Sequence, residues 1–68
     1  MGGFYLRGCA NEKLGNIDLA IEDFTTVLTL DESHVNAAFS RASCLNLKGD
    51  FIGAIEDYHQ ALEKDKNK

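Results

Sequence analysis

Between Ile17 and Leu30 the apolar residues fall at positions 17, 20, 21, 24, 27, 28 and 30. Steps of three and four line one face of a helix. The same spacing returns at Phe51, Ala54, Ile55, Tyr58, Ala61 and Leu62. Two less regular segments precede these runs. Residues 4–14 carry Phe4, Gly8, Cys9 and Leu14 among polar neighbours, and residues 35–48 carry Val35, Ala38, Phe39, Ala42, Leu45 and Leu47. The pattern predicts an all-α chain of four helices, near 4–14, 18–30, 35–48 and 52–64. Gly15-Asn16 and Gly49-Asp50 punctuate it. Glycine adopts the left-handed conformation that ends a helix, and Asn or Asp then caps the next one with its side-chain oxygen. Ser33 is the predicted N-cap of the third helix.

The punctuation recurs because the chain repeats itself. Residues 1–34 laid over 35–68 give eight identities: Arg7/Arg41, Gly15/Gly49, Ala20/Ala54, Ile21/Ile55, Glu22/Glu56, Asp23/Asp57, Leu28/Leu62 and Asp31/Asp65. Tyr5/Phe39, Gly8/Ala42, Asn16/Asp50, Ile17/Phe51, Phe24/Tyr58 and Val27/Ala61 keep their chemistry. An internal period of this length marks stacked helical or propeller repeats. Each unit, 1–34 and 35–68, reads as an antiparallel helix pair. Gly8 with Ala20, and Ala42 with Ala54, are small residues placed for close approach, and Phe24 and Tyr58 fill the space beyond. Arg7 with Asp23, and Arg41 with Asp57, are predicted ion pairs, either within a unit or from Asp23 across to Arg41. Thr25, Thr26 and Thr29 are assigned to a solvated outer face.

Composition narrows the function. A chain of 68 residues is at most one small domain, and such a chain buries only about 60% of its unfolded surface. Its net charge of −4 argues against nucleic-acid or anionic-membrane binding, which need a basic footprint. No stretch approaches the roughly 20 apolar residues that span a bilayer. Cys9 and Cys44 lack metal-type spacing, as do His34 and His59, so two free thiols in an intracellular, cytoplasmic protein are expected, with no metal and no cofactor. A single disulfide is the formal alternative. Glu22-Asp23 and Glu56-Asp57 are adjacent on a helix and point apart. No phosphate loop, nucleophile elbow or catalytic triad is present, and an enzyme is not expected.

Gly8, Ala20 and Phe24, then Ala42, Ala54 and Tyr58, within a 34-residue helix–turn–helix period, resemble the tetratricopeptide repeat. The chain departs from that pattern in Ala38 opposite Phe4, in Arg7 and Arg41 at a usually apolar position, in Asn11 beside Leu45, and in Glu32 and Lys66 where proline is usual. The resemblance implies a scaffold or adaptor that binds a protein or peptide in a concave groove lined by the first helix of each unit. The implied groove positions are Gly2, Tyr5, Cys9, Glu12 and Lys13, then Asn36, Phe39, Ser43, Asn46 and Leu47. Tyr5, Cys9, Glu12, Asn36, Phe39, Ser43 and Asn46 are the expected partner-binding set. The clamp by which one subclass holds a chaperone's C-terminal carboxylate uses Lys and Asn. Tyr5, Cys9 and Ser40 occupy the matching positions, so that ligand is not expected.

The last helix leaves Ile55, Tyr58 and Leu62 uncovered where a third unit would stack. Either the chain belongs to a longer array or it self-associates through these residues, as a homodimer that is stacked or domain-swapped. Without proline, a continuous helix through Leu30–Val35 is sterically allowed, and that helix would favour the swapped form.

Overall fold

The computed structural model describes residues 3–66 and consists of α1 (Gly3–Lys13), α2 (Ile17–Leu30), α3 (Val35–Lys48) and α4 (Phe51–Lys66). There is no strand among the described residues. Gly2, a predicted groove position, lies outside them. Consecutive helices pack as antiparallel hairpins, α1 on α2 and α3 on α4, and α3 lies against α2 to join the hairpins. α1 touches α3 only lightly, and the whole measures 32 × 29 × 15 Å.

Both hairpin turns use one device. Gly15 has φ +85° and Gly49 φ +95°, the left-handed region that glycine enters without a Cβ clash. The amide of Gly49 donates to the Asn46 carbonyl at 3.1 Å and that of Asp50 to the Leu45 carbonyl at 2.9 Å. The first turn copies this, Gly15 to Glu12 at 3.1 Å and Asn16 to Asn11 at 2.8 Å. These paired bonds satisfy carbonyls that the helix end would otherwise leave free. The next helix starts differently in the two copies. Asp50 Oδ1 accepts from the Gly53 amide at 3.0 Å, whereas the Asn16 side chain makes no capping bond. The backbone carbonyl of Asn16 still opens α2 by accepting from Ala20 at 3.0 Å.

The junction between hairpins corrects two expectations. α2 ends at Leu30 and no continuous helix runs to Val35, because Asp31 turns to φ −148°, ψ 89°. Its Oδ1 accepts from both the amide and the hydroxyl of Ser33, at 3.1 and 2.6 Å. Ser33 is thereby committed backwards, and His34 is the N-cap of α3 instead, its Nδ1 accepting from the Ala37 amide at 3.0 Å. A local side-chain turn stops the helix where proline is missing.

Small residues set the approach of the helices. A Cβ built on Gly8 would lie 2.8 Å from Phe24 Cε1, closer than carbon atoms pack. Ala20, Ala42 and Ala54 are buried at the equivalent seams, and the central cluster joins Ala20, Phe24 and Val27 of α2 to Ala37 and Cys44 of α3. Tyr5, Cys9, Ile17, Ile21 and Leu28 pack around it. The two aromatic positions diverge. Phe24 is 0% exposed, while Tyr58 is 38% exposed because no hairpin covers α4 as α3 covers α2. Ile55 and Leu62 are exposed for the same reason.

This asymmetry makes the second repeat a control for the first. Phe24→Ala is expected to cost about 3–5 kcal/mol, enough to unfold most of a small domain at room temperature, as read by urea denaturation. Tyr58→Ala, at an exposed position, is expected to cost within about 1 kcal/mol.

Candidate interaction site: a helix pair that joins two hairpins

The residues expected to line a groove form two stripes, one on the first helix of each hairpin. Tyr5, Cys9 and Glu12 lie at i, i+4 and i+7 on α1 and therefore share one face. Asn36, Phe39, Ser43 and Asn46 form the corresponding stripe on α3. The α1 stripe is half-buried against the second hairpin. The Tyr5 ring lies 5.8 Å from that of Phe24 and 5.0 Å from that of His34. Burial raises the Tyr5 phenol above its usual range, opposed by a hydrogen bond with Ser40. Glu12 and Cys9 lie beside Cys44, and burial together with the Glu12 charge pushes the Cys44 thiol up to about 11. The α1 residues expected to bind a partner therefore also hold α1 to α3.

The α3 stripe is more open. Asn36 and Asn46 are exposed, and Phe39 and Ser43 are half-buried. Phe39 lies 6.0 Å from Tyr58, repeating the Tyr5–Phe24 contact one unit later, and has no ring contact with Tyr5. The side chains of Asn36, Ser43 and Asn46 make no intramolecular hydrogen bond or ion pair among the described residues. Lys13 and Leu47 are exposed.

The repeated ion pairs lie within each unit. Arg7 Nη2 meets Asp23 Oδ1 at 2.7 Å, and its Nε donates to both carboxylate oxygens at 3.1 Å. Asn11 Nδ2 adds a bond to Oδ2 at 3.0 Å. In the second unit Arg41 Nε and Nη2 bind the Asp57 carboxylate at 2.7 and 2.8 Å, while Leu45 stands where Asn11 would be. Both aspartates are buried, and Asn11 and the guanidiniums replace the water they lose. Hydrogen bonding from Arg7, strengthened by Asn11 and by the arginine's charge, holds the Asp23 carboxyl below its ordinary range despite its burial.

Arg41 also reaches across the hairpin junction, donating from Nη1 to Thr25 Oγ1 at 3.3 Å. Thr25 is thus not a purely solvated residue. Lys48 pairs with Asp18 at 2.7 Å and Lys64 donates to the Glu32 carbonyl, two more links between hairpins. Sequence reasoning missed Asp18, Lys48 and His34. Apolar periodicity does not register a charge pair or a histidine cap. Among the described residues no group of three or more His, Cys, Asp or Glu side chains is placed to hold a metal ion. No described helix is long and apolar enough to cross a membrane.

The sequence profile of the tetratricopeptide repeat matches residues 3–34, the α1–α2 hairpin and the junction after it. Residues 3–34 are a tetratricopeptide repeat. Repeats of this family mediate protein–protein interaction and are not catalytic. DnaJ homolog subfamily C member 7 of Homo sapiens is 36% identical over 62 residues, covering 91% of this chain and 13% of the relative. Its Mus musculus counterpart matches to the same extent. The chain therefore spans about one-eighth of the length of these curated relatives.

Two outcomes follow from the polar groups. The stability that Asp23 contributes is full above its unfolded pKa of about 3.9 and is lost as pH falls through its lower folded value. The melting temperature of the protein should exceed that of Asp23→Asn at neutral pH, and the gap should close on acidification. Cys44 has the opposite sign. Its contribution is full below the unfolded thiol value of about 8.5 and declines as pH rises toward 11. Near neutral pH a thiol reagent should label Cys9 well before Cys44, with Cys44 reacting only as fast as the chain opens.

Proposed function

We propose that this tetratricopeptide repeat chain is a non-enzymatic interaction module, with 1–34 and 35–68 as its two units. It holds an extended or helical peptide along the groove side of α1 and α3, as part of a scaffold or adaptor. The observation that carries this reading is the row of Asn36, Ser43 and Asn46 beside the Phe39 ring. Amide and hydroxyl groups with no internal partner, flanking a half-open aromatic, are what a peptide backbone needs for orientation and grip. Tyr5, Cys9 and Glu12 close the other wall. Because these three also seat α1 on α3, they act mainly by shaping the groove. Two unbridged thiols are consistent with a reducing, intracellular setting, most simply the cytoplasm.

Asn36→Ala combined with Asn46→Ala tests this without touching the core, since both side chains are exposed. Each lost neutral hydrogen bond is worth about 0.5–1.5 kcal/mol. Proteins captured by the native chain from a cell extract should bind the double variant roughly ten-fold more weakly or worse. An unchanged set of captured proteins at unchanged affinity, with the helical spectrum intact, rejects the groove assignment.

A further inference from the structure

The two hairpins are joined through residues 31–34, and one side chain there works in a single protonation state. His34 Nδ1 accepts from the Ala37 amide at 3.0 Å and so caps α3. A ring nitrogen accepts only while it carries no proton, so the capping ring is neutral, with its proton on Nε2. Ala37 is 0% exposed and belongs to the central cluster with Phe24 and Val27. Its amide is one of the first four of α3, which find no partner inside the helix. Burial of the residue leaves little room for water to replace the imidazole. The same half-buried ring lies 5.0 Å from the ring of Tyr5 on α1. One side chain thus ties the start of α3 to the first hairpin.

We propose that His34 is a pH-sensitive catch between the hairpins: neutral, it caps α3 and rests on Tyr5; protonated, it gives up the cap and turns to Asp31. A proton on Nδ1 would set two N–H groups face to face, with the positive end of the α3 dipole behind the amide. Both effects push an imidazolium out of the cap. Its receiver lies three residues earlier. The His34 amide donates to the Asp31 carbonyl at 3.1 Å, which keeps the two residues together. Hydrogen bonds from Ser33 hold the Asp31 carboxyl below its ordinary range, and the charges of His34 and Lys64 add to this. Asp31 is therefore ionised where an imidazole titrates, ordinarily at about 6.5. Its Oδ1 holds the Ser33 amide and hydroxyl, the turn that stops α2. A cation beside it competes for that same carboxylate.

The other groups around the ring offer an imidazolium less. Tyr5 on α1 presents a neutral phenol, its pKa raised by burial. Lys64 on α4 donates to the Glu32 carbonyl and carries a like charge. Glu32 follows Asp31 in the turn and is exposed. Arg41, further along α3, is held by Asp57 and Thr25. Cap and ring contact are lost together, so acidification loosens the first turn of α3 and frees the Tyr5 ring. Those two places carry Asn36 and Tyr5, so on the groove reading the same proton weakens peptide binding. The catch does not depend on that reading, and its test stays within the chain.

Nuclear magnetic resonance of the 68-residue chain, followed from about pH 8 to about pH 5, provides that test. At the alkaline end the ring nitrogen shifts of His34 should show a bare Nδ1. As the ring takes up a proton, the Ala37 amide resonance should move with it. The protection of that amide against exchange, corrected for the intrinsic effect of pH, should fall roughly ten-fold. His34→Asn keeps a capping oxygen without a titrating group and should leave Ala37 protected throughout. His59→Asn should behave at Ala37 like the native chain. Four results would overturn the proposal: a proton on Nδ1 at the alkaline end, a His34 ring still neutral at the acidic end, an Ala37 amide indifferent to the titration, or an equal loss of protection in His34→Asn. The native titration decides the first three even if a variant fails to fold.

Discussion

A β-carbon on Gly8 would sit 2.8 Å from the ring of Phe24, and the rest of the molecule depends on that close approach. It lets α1 lie against α2, with the aromatic ring filling the seam beyond the small residue. The buried ring, together with Ala20 and Val27, then makes the floor on which Ala37 and Cys44 of α3 rest. Without the first contact there is no flat α2 surface for the second hairpin. A 68-residue chain has little core to spare, so one seam carries a large share of its stability.

The polar groups orient what the apolar ones hold together. Asp23 and Asp57 are buried and each is gripped by the arginine sixteen residues earlier, two forks in the same register. Such a pair adds little net stability once desolvation is counted, but it fixes the rotation of one helix against the other. Between hairpins, polar contacts predominate in the outer ring, with Lys48 on Asp18 and Arg41 on Thr25 around the apolar centre.

Much of this was legible in the sequence. Period and spacing located all four helices to within a residue or two, because burial of one stripe per helix leaves an alternation that solvent would not. Gly15 and Gly49 marked both hairpin turns, and the repeated Arg–Asp positions marked ion pairs, while spacing alone left open whether Asp23 meets Arg7 or Arg41. Two of the failures share a cause. Ser33 is a good capping residue in isolation, but Asp31 captures it first, and His34 takes the cap. The missing proline suggested that the junction was free to be helical, yet the same Asp31 turn breaks it. Competition among adjacent polar side chains is decided at short distances that spacing does not encode. That Tyr5, Cys9 and Glu12 share one face of α1, and Asn36, Phe39, Ser43 and Asn46 one face of α3, was legible from their spacing. That Tyr5 and Cys9 double as packing residues was not, since it depends on how closely α3 comes to α1.

Amide hydrogen exchange, resolved by residue, tests most directly whether the Gly8–Phe24 seam and the α3 stack upon it hold the fold. Exchange should be slowest in the middle of α2 and α3, around Phe24 and Ala42, and markedly faster along α4, whose outer face nothing covers. Equal protection of α4 and α2, or a slowest-exchanging segment in α4, would contradict the account.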